Sequence, residues 1–192
     1  MAIIEEVIET PGAQETVDGL KKQGNELFGS GKFEEAIDKY KKALDLCPET
    51  DTAVATILLS NQAACYIKME KWNEAVEVAT KALENDSKNE KALERRAFAC
   101  SHLSEKYEQA IEDYQELQKQ CPTRKNISSH IEELKKKIDD RNEKLKADVM
   151  EKLKGFGNMC LKPFGLSTDS FEMVPNGQGG YSVQMKNNAP GN

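Results

Sequence analysis

Three segments of the chain carry one residue pattern in the same phase, and this repetition restricts the fold more than any other feature. They read "GKFEEAIDKYKKALDLCP", "EKWNEAVEVATKALENDS" and "EKYEQAIEDYQELQKQCP". Each begins with a lysine and an aromatic residue, Phe33, Trp72 or Tyr107. Three positions later stands Ala36, Ala75 or Ala110, and four positions after that Tyr40, Ala79 or Tyr114. Ala43, Ala82 and Leu117 come next, and the pattern stops at Pro48, Ser87 and Pro122. The spacing of three and four is that of one helix face. A partner segment precedes each, "LKKQGNELFGS", "LLSNQAACYIKM" and "ALERRAFACSHL", with Gly24, Ala63 and Ala97 at matching places. A small residue there lets two helices approach closely, and the aromatic fills the neighbouring space. A bundle of unrelated helices has no reason to share such a register.

This layout resembles the tetratricopeptide repeat, a pair of antiparallel helices of about 34 residues with small residues at the helix contact and a proline at the end. The resemblance implies an all-α chain with three repeats over 17–122 (17–50, 52–88 and 89–122), preceded by an acidic N-terminal segment, 1–16. The alanines are unevenly spaced, at 39 positions from Ala36 to Ala75 and 35 from Ala75 to Ala110. The extra residues fall around "PETDTAVATIL", which lengthens the first helix of the second repeat, and in "LSEKY".

Composition narrows the function. Charged residues make up 31% and hydrophobic residues 38% of 192, with a net charge of −6, which is a polar but foldable chain without the basic excess of a general nucleic-acid surface. The start, "MAIIEEVIET", is acidic and lacks the features of a signal peptide, and no apolar run is long enough to span a membrane. Five scattered cysteines, Cys47, Cys65, Cys100, Cys121 and Cys160, never form a CxxC pair and read as free thiols of a cytoplasmic protein, mostly core filler. His102 and His130 are the only histidines and stand among no metal-ligand neighbours. No nucleophile–base set, phosphate loop or metal cluster is visible, so the expectation is a protein without enzymatic activity, cofactor or metal.

The polar residues of the first helices point elsewhere. Lys21 and Asn25 stand four apart and share a face, as do Lys91 and Arg95; Asn61 lies between them in sequence, with Lys68 seven residues further on its face. Asn61 is conspicuous, because asparagine is a poor residue for a helix interior. This set resembles the carboxylate clamp of chaperone-binding tetratricopeptide domains. The resemblance implies that Lys21, Asn25, Asn61, Lys91 and Arg95 face a common groove that grips the C-terminal Glu-Glu-Val-Asp of heat-shock protein 70 or heat-shock protein 90. Lys21, Asn25 and Asn61 would hold the terminal carboxylate, Lys91 the neighbouring side chain, and Arg95 an upstream acidic side chain or carbonyl. Lys68 is a possible further groove residue. The chemistry suits such a ligand: lysine supplies a point charge, asparagine an oriented donor, arginine a two-pronged bond.

Beyond Pro122 the pattern changes to one long helix, assigned to 123–156. Ile127, Ile131, Leu134, Ile138, Leu145, Val149, Leu153 and Phe156 recur at spacings of three, four and seven, and its first turns are expected to cap the last repeat. Lys135, Lys136 and Lys137 lie between "EE" and "DD" and read as a salt-bridged, solvated face. The tail, 157–192, holds "FEMV" and "YSVQM" around "PNGQGG", a hairpin with a glycine-rich turn, and ends in a disordered "KNNAPGN". Its apolar residues are expected to pack against the long helix. The tail motif "GN-x2-L-x2-FGLS-x-D-x-F" resembles the C-terminal signature of the tetratricopeptide repeat protein 1 family, from which this chain departs in having only a short acidic N-terminal stretch.

Two functions fit these features. The first is an adaptor that binds a chaperone's acidic C-terminus in the groove. The second is a scaffold whose long helix and tail bind a different protein while the groove takes other acidic segments.

Overall fold

The computed structural model describes residues 15–124, 126–175 and 181–186. They fall into two compact units, the first ending at Ile138 and the second beginning at Asp139.

The first unit is built from helices α1 (Val17–Gly29), α2 (Phe33–Asp45), α3 (Thr52–Lys68), α4 (Trp72–Asn85), α5 (Glu90–Cys100), α6 (Tyr107–Gln120) and the first turns of α7 (Asn126–Leu161). They pack as pairs, α1 on α2, α3 on α4 and α5 on α6, and each pair packs on the next through α2–α3 and α4–α5. The first helices also touch directly, α3 against α5. Local sequence sets the boundaries. Thr16, Asp51 and Asn89 cap α1, α3 and α5, their side chains accepting from the backbone N–H of Gly19, Val54 and Ala92. The second helices α2 and α4 begin without a side-chain cap, each at its lysine–aromatic step. The turns before them need a left-handed residue, supplied by Gly31 (φ 77°) in the first repeat and by Glu70 (φ 56°) in the second. In the third repeat a short 3-10 turn, Ser104–Lys106, leads into α6 and takes up the extra residue of "LSEKY". The insertion before Asn61 lengthens α3 to 17 residues against 13 in α1.

The repeat positions form the core. Ala36, Ala75, Ala110, Ala43, Ala82, Ala63 and Ala97 are fully buried, and Leu117 nearly so. Gly24 answers a close approach: a Cβ there would stand 2.5 Å from Tyr40 Cε1. One apolar cluster joins α1, α2 and α3 through Leu20, Ile37, Tyr40 and Leu58; a second joins α3 to α7 through Leu59, Val76, Leu93, Tyr114 and Leu117. Ile127, Ile131 and Leu134 of α7 are buried in this second cluster and cover the last repeat. Of the cysteines, Cys65 and Cys100 are buried, Cys160 is exposed, and all five are free. Lys137 pairs with Glu133 at 2.7 Å on the solvated side of α7.

In the second unit α7 continues to Leu161, five residues beyond the expected end and through Gly155 and Gly157. The chain then turns at Gly165 (φ 70°) and returns to the helix end, where Asn158 Oδ1 accepts from Thr168 N at 2.6 Å and Thr168 Oγ1 at 2.8 Å. Lys154 pairs with Asp169 at 2.7 Å. Gly157 is required for this approach, because a Cβ would stand 2.7 Å from Thr168 Cγ2. Strands β1 (Phe171–Pro175) and β2 (Tyr181–Met185) pair antiparallel, with Phe171 opposite Met185 and Pro175 opposite Tyr181. The expected hairpin is present; its turn, 176–180, and the tail end, 187–192, lie outside the described residues, as does most of the acidic segment, 1–14. The expected burial of the tail is only partial: Leu161, Leu166 and Phe171 are half-buried. Leu145, Val149, Leu153, Phe156, Phe164, Met173, Tyr181 and Val183 are all more than half exposed. Polar contacts at Asn158 and Asp169 tie the tail back, and they need no apolar seam.

Candidate functional site

Helices α1, α3 and α5 each present one face to a cavity of about 500 Å³. Lys21 and Asn25 line it from α1, Asn61 from α3, and Lys91 and Arg95 from α5, together with Ile57, Ser60, Asn89 and Glu90. The five residues singled out in the sequence thus border one space. Lys68 does not: it is exposed and lines a neighbouring cavity of about 480 Å³, where Arg95 also stands. That second space is walled by Phe28, Ala64, Ile67, Phe98, Tyr114 and Ile127.

A hydrogen-bonded chain ties the three helices together. The buried Tyr40 hydroxyl donates to Asn25 Oδ1 at 2.7 Å. Asn61 Nδ2 donates to the same oxygen at 3.4 Å. Arg95 Nη1 donates to Asn61 Oδ1 at 3.4 Å and to Ser60 Oγ at 2.5 Å. Both asparagine oxygens are therefore engaged by donors of the protein, and amide N–H groups are what these two side chains can offer a ligand. Tyr40 fixes this orientation. Its burial pushes the phenol up to about 12, so it stays a donor at any physiological pH.

The charges are of one sign where it matters. Arg95 is half-buried, and its neighbours Ser60 and Asn61 are neutral; burial holds its guanidinium below the usual arginine value. Among the described residues Arg95 forms no ion pair, and the charge of Glu94 only partly offsets its desolvation, so the arrangement is one that an anion completes. The next residue is the opposite case. Arg96 makes a two-pronged bond to the buried Asp113, Nε to Oδ2 at 2.8 Å and Nη2 to Oδ1 at 2.7 Å, and this partner holds it above the usual arginine value. Among the described residues the ion partner of Lys21 is the exposed Asp18, at 2.5 Å, a pair that solvent weakens and a ligand can replace. Lys91 is exposed. The acidic lining residue Glu90 is itself engaged by Arg124 Nη1 at 3.2 Å, which also reaches Glu94 at 3.5 Å.

Sequence spacing located the cations and amides and missed their supports. Tyr40 reads as a core aromatic of the repeat, and only its hydroxyl, absent from Ala79 at the same place in the second repeat, marks it as different. Ser60 gives no signal at all. Among the described residues no group of three or more His, Cys, Asp or Glu side chains is placed to hold a metal ion. Both histidines use their ring faces in stacking, His102 on Trp72 at 4.0 Å and His130 on Tyr114 at 5.3 Å.

Comparison with known proteins bears on this geometry. Residues 24–53 match a family model described as TPR repeat, and residues 58–91 one described as Tetratricopeptide repeat. Protein unc-45 homolog B of Danio rerio is 34% identical over 135 residues, 70% of this chain but 13% of that protein, so this chain spans a small part of such a relative. Among solved structures, the first repeat domain of Spaghetti (RPAP3) bound to the HSP90 peptide SRMEEVD is 28% identical, with a TM-score of 0.56 over 62% of this chain and 93% of that one. The second repeat domain of human RPAP3 in complex with the HSP70 peptide SGPTIEEVD is 27% identical, with a TM-score of 0.55 over 62% and 94%. With its helix pairs stacked in phase and two of its repeats matched by these models, the chain carries a tetratricopeptide repeat domain, similar in structure to the repeat domains of Spaghetti and human RPAP3.

Proposed function

We propose that the chain is a non-enzymatic chaperone adaptor whose groove binds the acidic C-terminal Glu-Glu-Val-Asp peptide of heat-shock protein 70 or heat-shock protein 90. The observation that carries this reading is Arg95, a half-buried cation hydrogen-bonded to neutral partners and facing a cavity shared with Lys21, Lys91 and two donor-presenting asparagines. Lys21, Asn25 and Asn61 hold the terminal carboxylate, Lys91 the adjacent acidic side chain, and Arg95 an upstream acid or carbonyl. That two structural neighbours hold peptides ending in EEVD supports the ligand class. The tail motif supports membership of the tetratricopeptide repeat protein 1 family, and the free thiols fit a cytoplasmic setting. Among the described residues no helix is long and apolar enough to cross a membrane.

The test is a titration with SGPTIEEVD as the free acid and as its C-terminal amide. Amidation removes one charge and one of two carboxylates while keeping the sequence. The reading expects the amide to bind at least tenfold more weakly; equal binding overturns it.

A second reading rests on a separate observation. The distal part of α7 leaves Leu145, Val149, Leu153 and Phe156 exposed along one side. A scaffold that engages another protein through this unit would use them, and the groove would then serve other acidic segments.

A further inference from the structure

The groove's ligand chemistry is also written in the chain itself. Ile4-Glu5-Glu6-Val7 is identical to four consecutive residues of SGPTIEEVD, the peptide held by the human RPAP3 domain, and Glu9 stands two positions later. These residues lie in 1–14, outside the described structure and shortly before the helix that supplies Lys21 and Asn25. We infer that the segment Ile4–Glu9 is an internal competitor that occupies the Lys21–Asn61–Arg95 groove of its own chain. This inference rests on the acidic-peptide reading of the groove proposed above and adds a regulator to it.

Three arguments support the occupant. The first is charge: Glu5, Glu6 and Glu9 supply three carboxylates, and the groove offers Lys21, Lys91 and Arg95, none of them ion-paired to a buried acid among the described residues. The second is reach. Glu6 stands ten positions before Thr16, the cap of α1, a length of chain that reaches at most about 33 Å. Lys21 stands only about 7 Å along α1 from its start. Pro11-Gly12, a turn-forming dipeptide, lies between the acidic residues and the helix. The third is graded strength. Val7 is succeeded by Ile8 and not by a terminal Asp, so the segment offers side-chain carboxylates without the paired terminal one. It therefore binds more weakly than a free acidic C-terminus in a single encounter. Tethering supplies an effective concentration on the order of millimolar, enough to lower the apparent affinity of an external peptide about three- to fivefold without blocking it.

The test measures SGPTIEEVD binding by calorimetry to the full chain, to the double variant Glu5→Lys/Glu6→Lys, and to a control with the same charge change on α2, Glu34→Lys/Glu35→Lys. Both control positions are exposed. The inference expects the first variant to bind the peptide about three- to fivefold more tightly than the unaltered chain, with the control unchanged. Equal affinity for all three overturns it and leaves the clamp intact. Equal tightening in the control assigns the effect to bulk charge and also overturns it. Tightening that varies with protein concentration over about a tenfold range assigns the contact to a second copy and overturns the intramolecular form. If none of the three binds the peptide, the clamp reading itself falls, and this inference falls with it.

Discussion

Tyr40 and Asn25 stand 15 residues apart and on different helices, yet the buried phenol donates to the amide oxygen at 2.7 Å. The bond couples the repeat core to the groove wall. Tyr40→Phe keeps the ring against Gly24 and removes only the hydroxyl. A side-chain hydrogen bond contributes about 0.5–1.5 kcal/mol, so peptide affinity is expected to fall about two- to tenfold with a small loss of melting temperature. Unchanged affinity, measured by calorimetry, would show that Asn25 needs no orienting partner.

Gly24→Ala approaches the same bond from the other side. Its Cβ would meet the Tyr40 ring at 2.5 Å, and the ring must shift. Overpacking of this kind costs about 1–3 kcal/mol, read from a urea midpoint. The peptide affinity is expected to fall with it, because the hydroxyl moves off Asn25.

The consecutive arginines separate binding from stability. Arg96→Ala leaves Asp113, 4% exposed, without its ion partner, and a loss of about 3–5 kcal/mol in unfolding free energy is expected. Arg95→Ala removes a groove cation bonded to Ser60 and Asn61, so its effect is expected in peptide binding, with a stability change of about 1 kcal/mol. Urea denaturation and titration of both variants check the split; equal effects on both measurements would contradict it.

Glu70 occupies the left-handed position that Gly31 holds in the first repeat, at φ 56°. A non-glycine residue there carries about 1–2 kcal/mol of strain, part of which glycine returns as unfolded-chain entropy. Glu70→Gly is expected to raise the melting temperature by a few degrees, roughly 0.5–1 kcal/mol, whereas Gly31→Ala lowers it by a similar amount.

Alkaline pH is expected to weaken the fold. Burial pushes Cys65 to about 12 and Cys100 to about 11, against an ordinary 9.0, and Tyr40 and Tyr114 to about 12, against 10.0. Each folded value lies above the unfolded one, so the unfolded chain loses these protons first. Their contribution is complete below pH 9 and declines as pH rises towards 12. Urea midpoints in that range should fall steadily, and a flat profile would contradict the burial of these groups.

The alanine phase was legible in the sequence because close helix packing accepts only small residues at Ala36, Ala75 and Ala110, whatever the neighbours. The groove residues were legible through spacing together with the resemblance to the carboxylate clamp, which pairs Lys91 with Arg95 four positions on. The bonds among Tyr40, Asn25, Asn61 and Arg95 were not, since they depend on how three helices cross. Local composition misled at two places. The long helix was expected to end at 156, but Gly157 continues α7 to Leu161 and admits Thr168. The tail's apolar residues read as buried, but nothing among the described residues covers Phe164, at 77% exposure.

The groove takes its parts from α1, α3 and α5, one first helix from each repeat, and the Asn25–Asn61–Arg95 bonds cross both junctions. The proposed receptor is thus a conjunction: it exists only while every repeat is seated on its neighbour, and loosening at either end dissolves it. A peptide bound there would act in return as a splint across both seams. Destabilising changes deep in the stack, far from any ligand atom, will therefore register first as weakened binding, well before the chain as a whole unfolds.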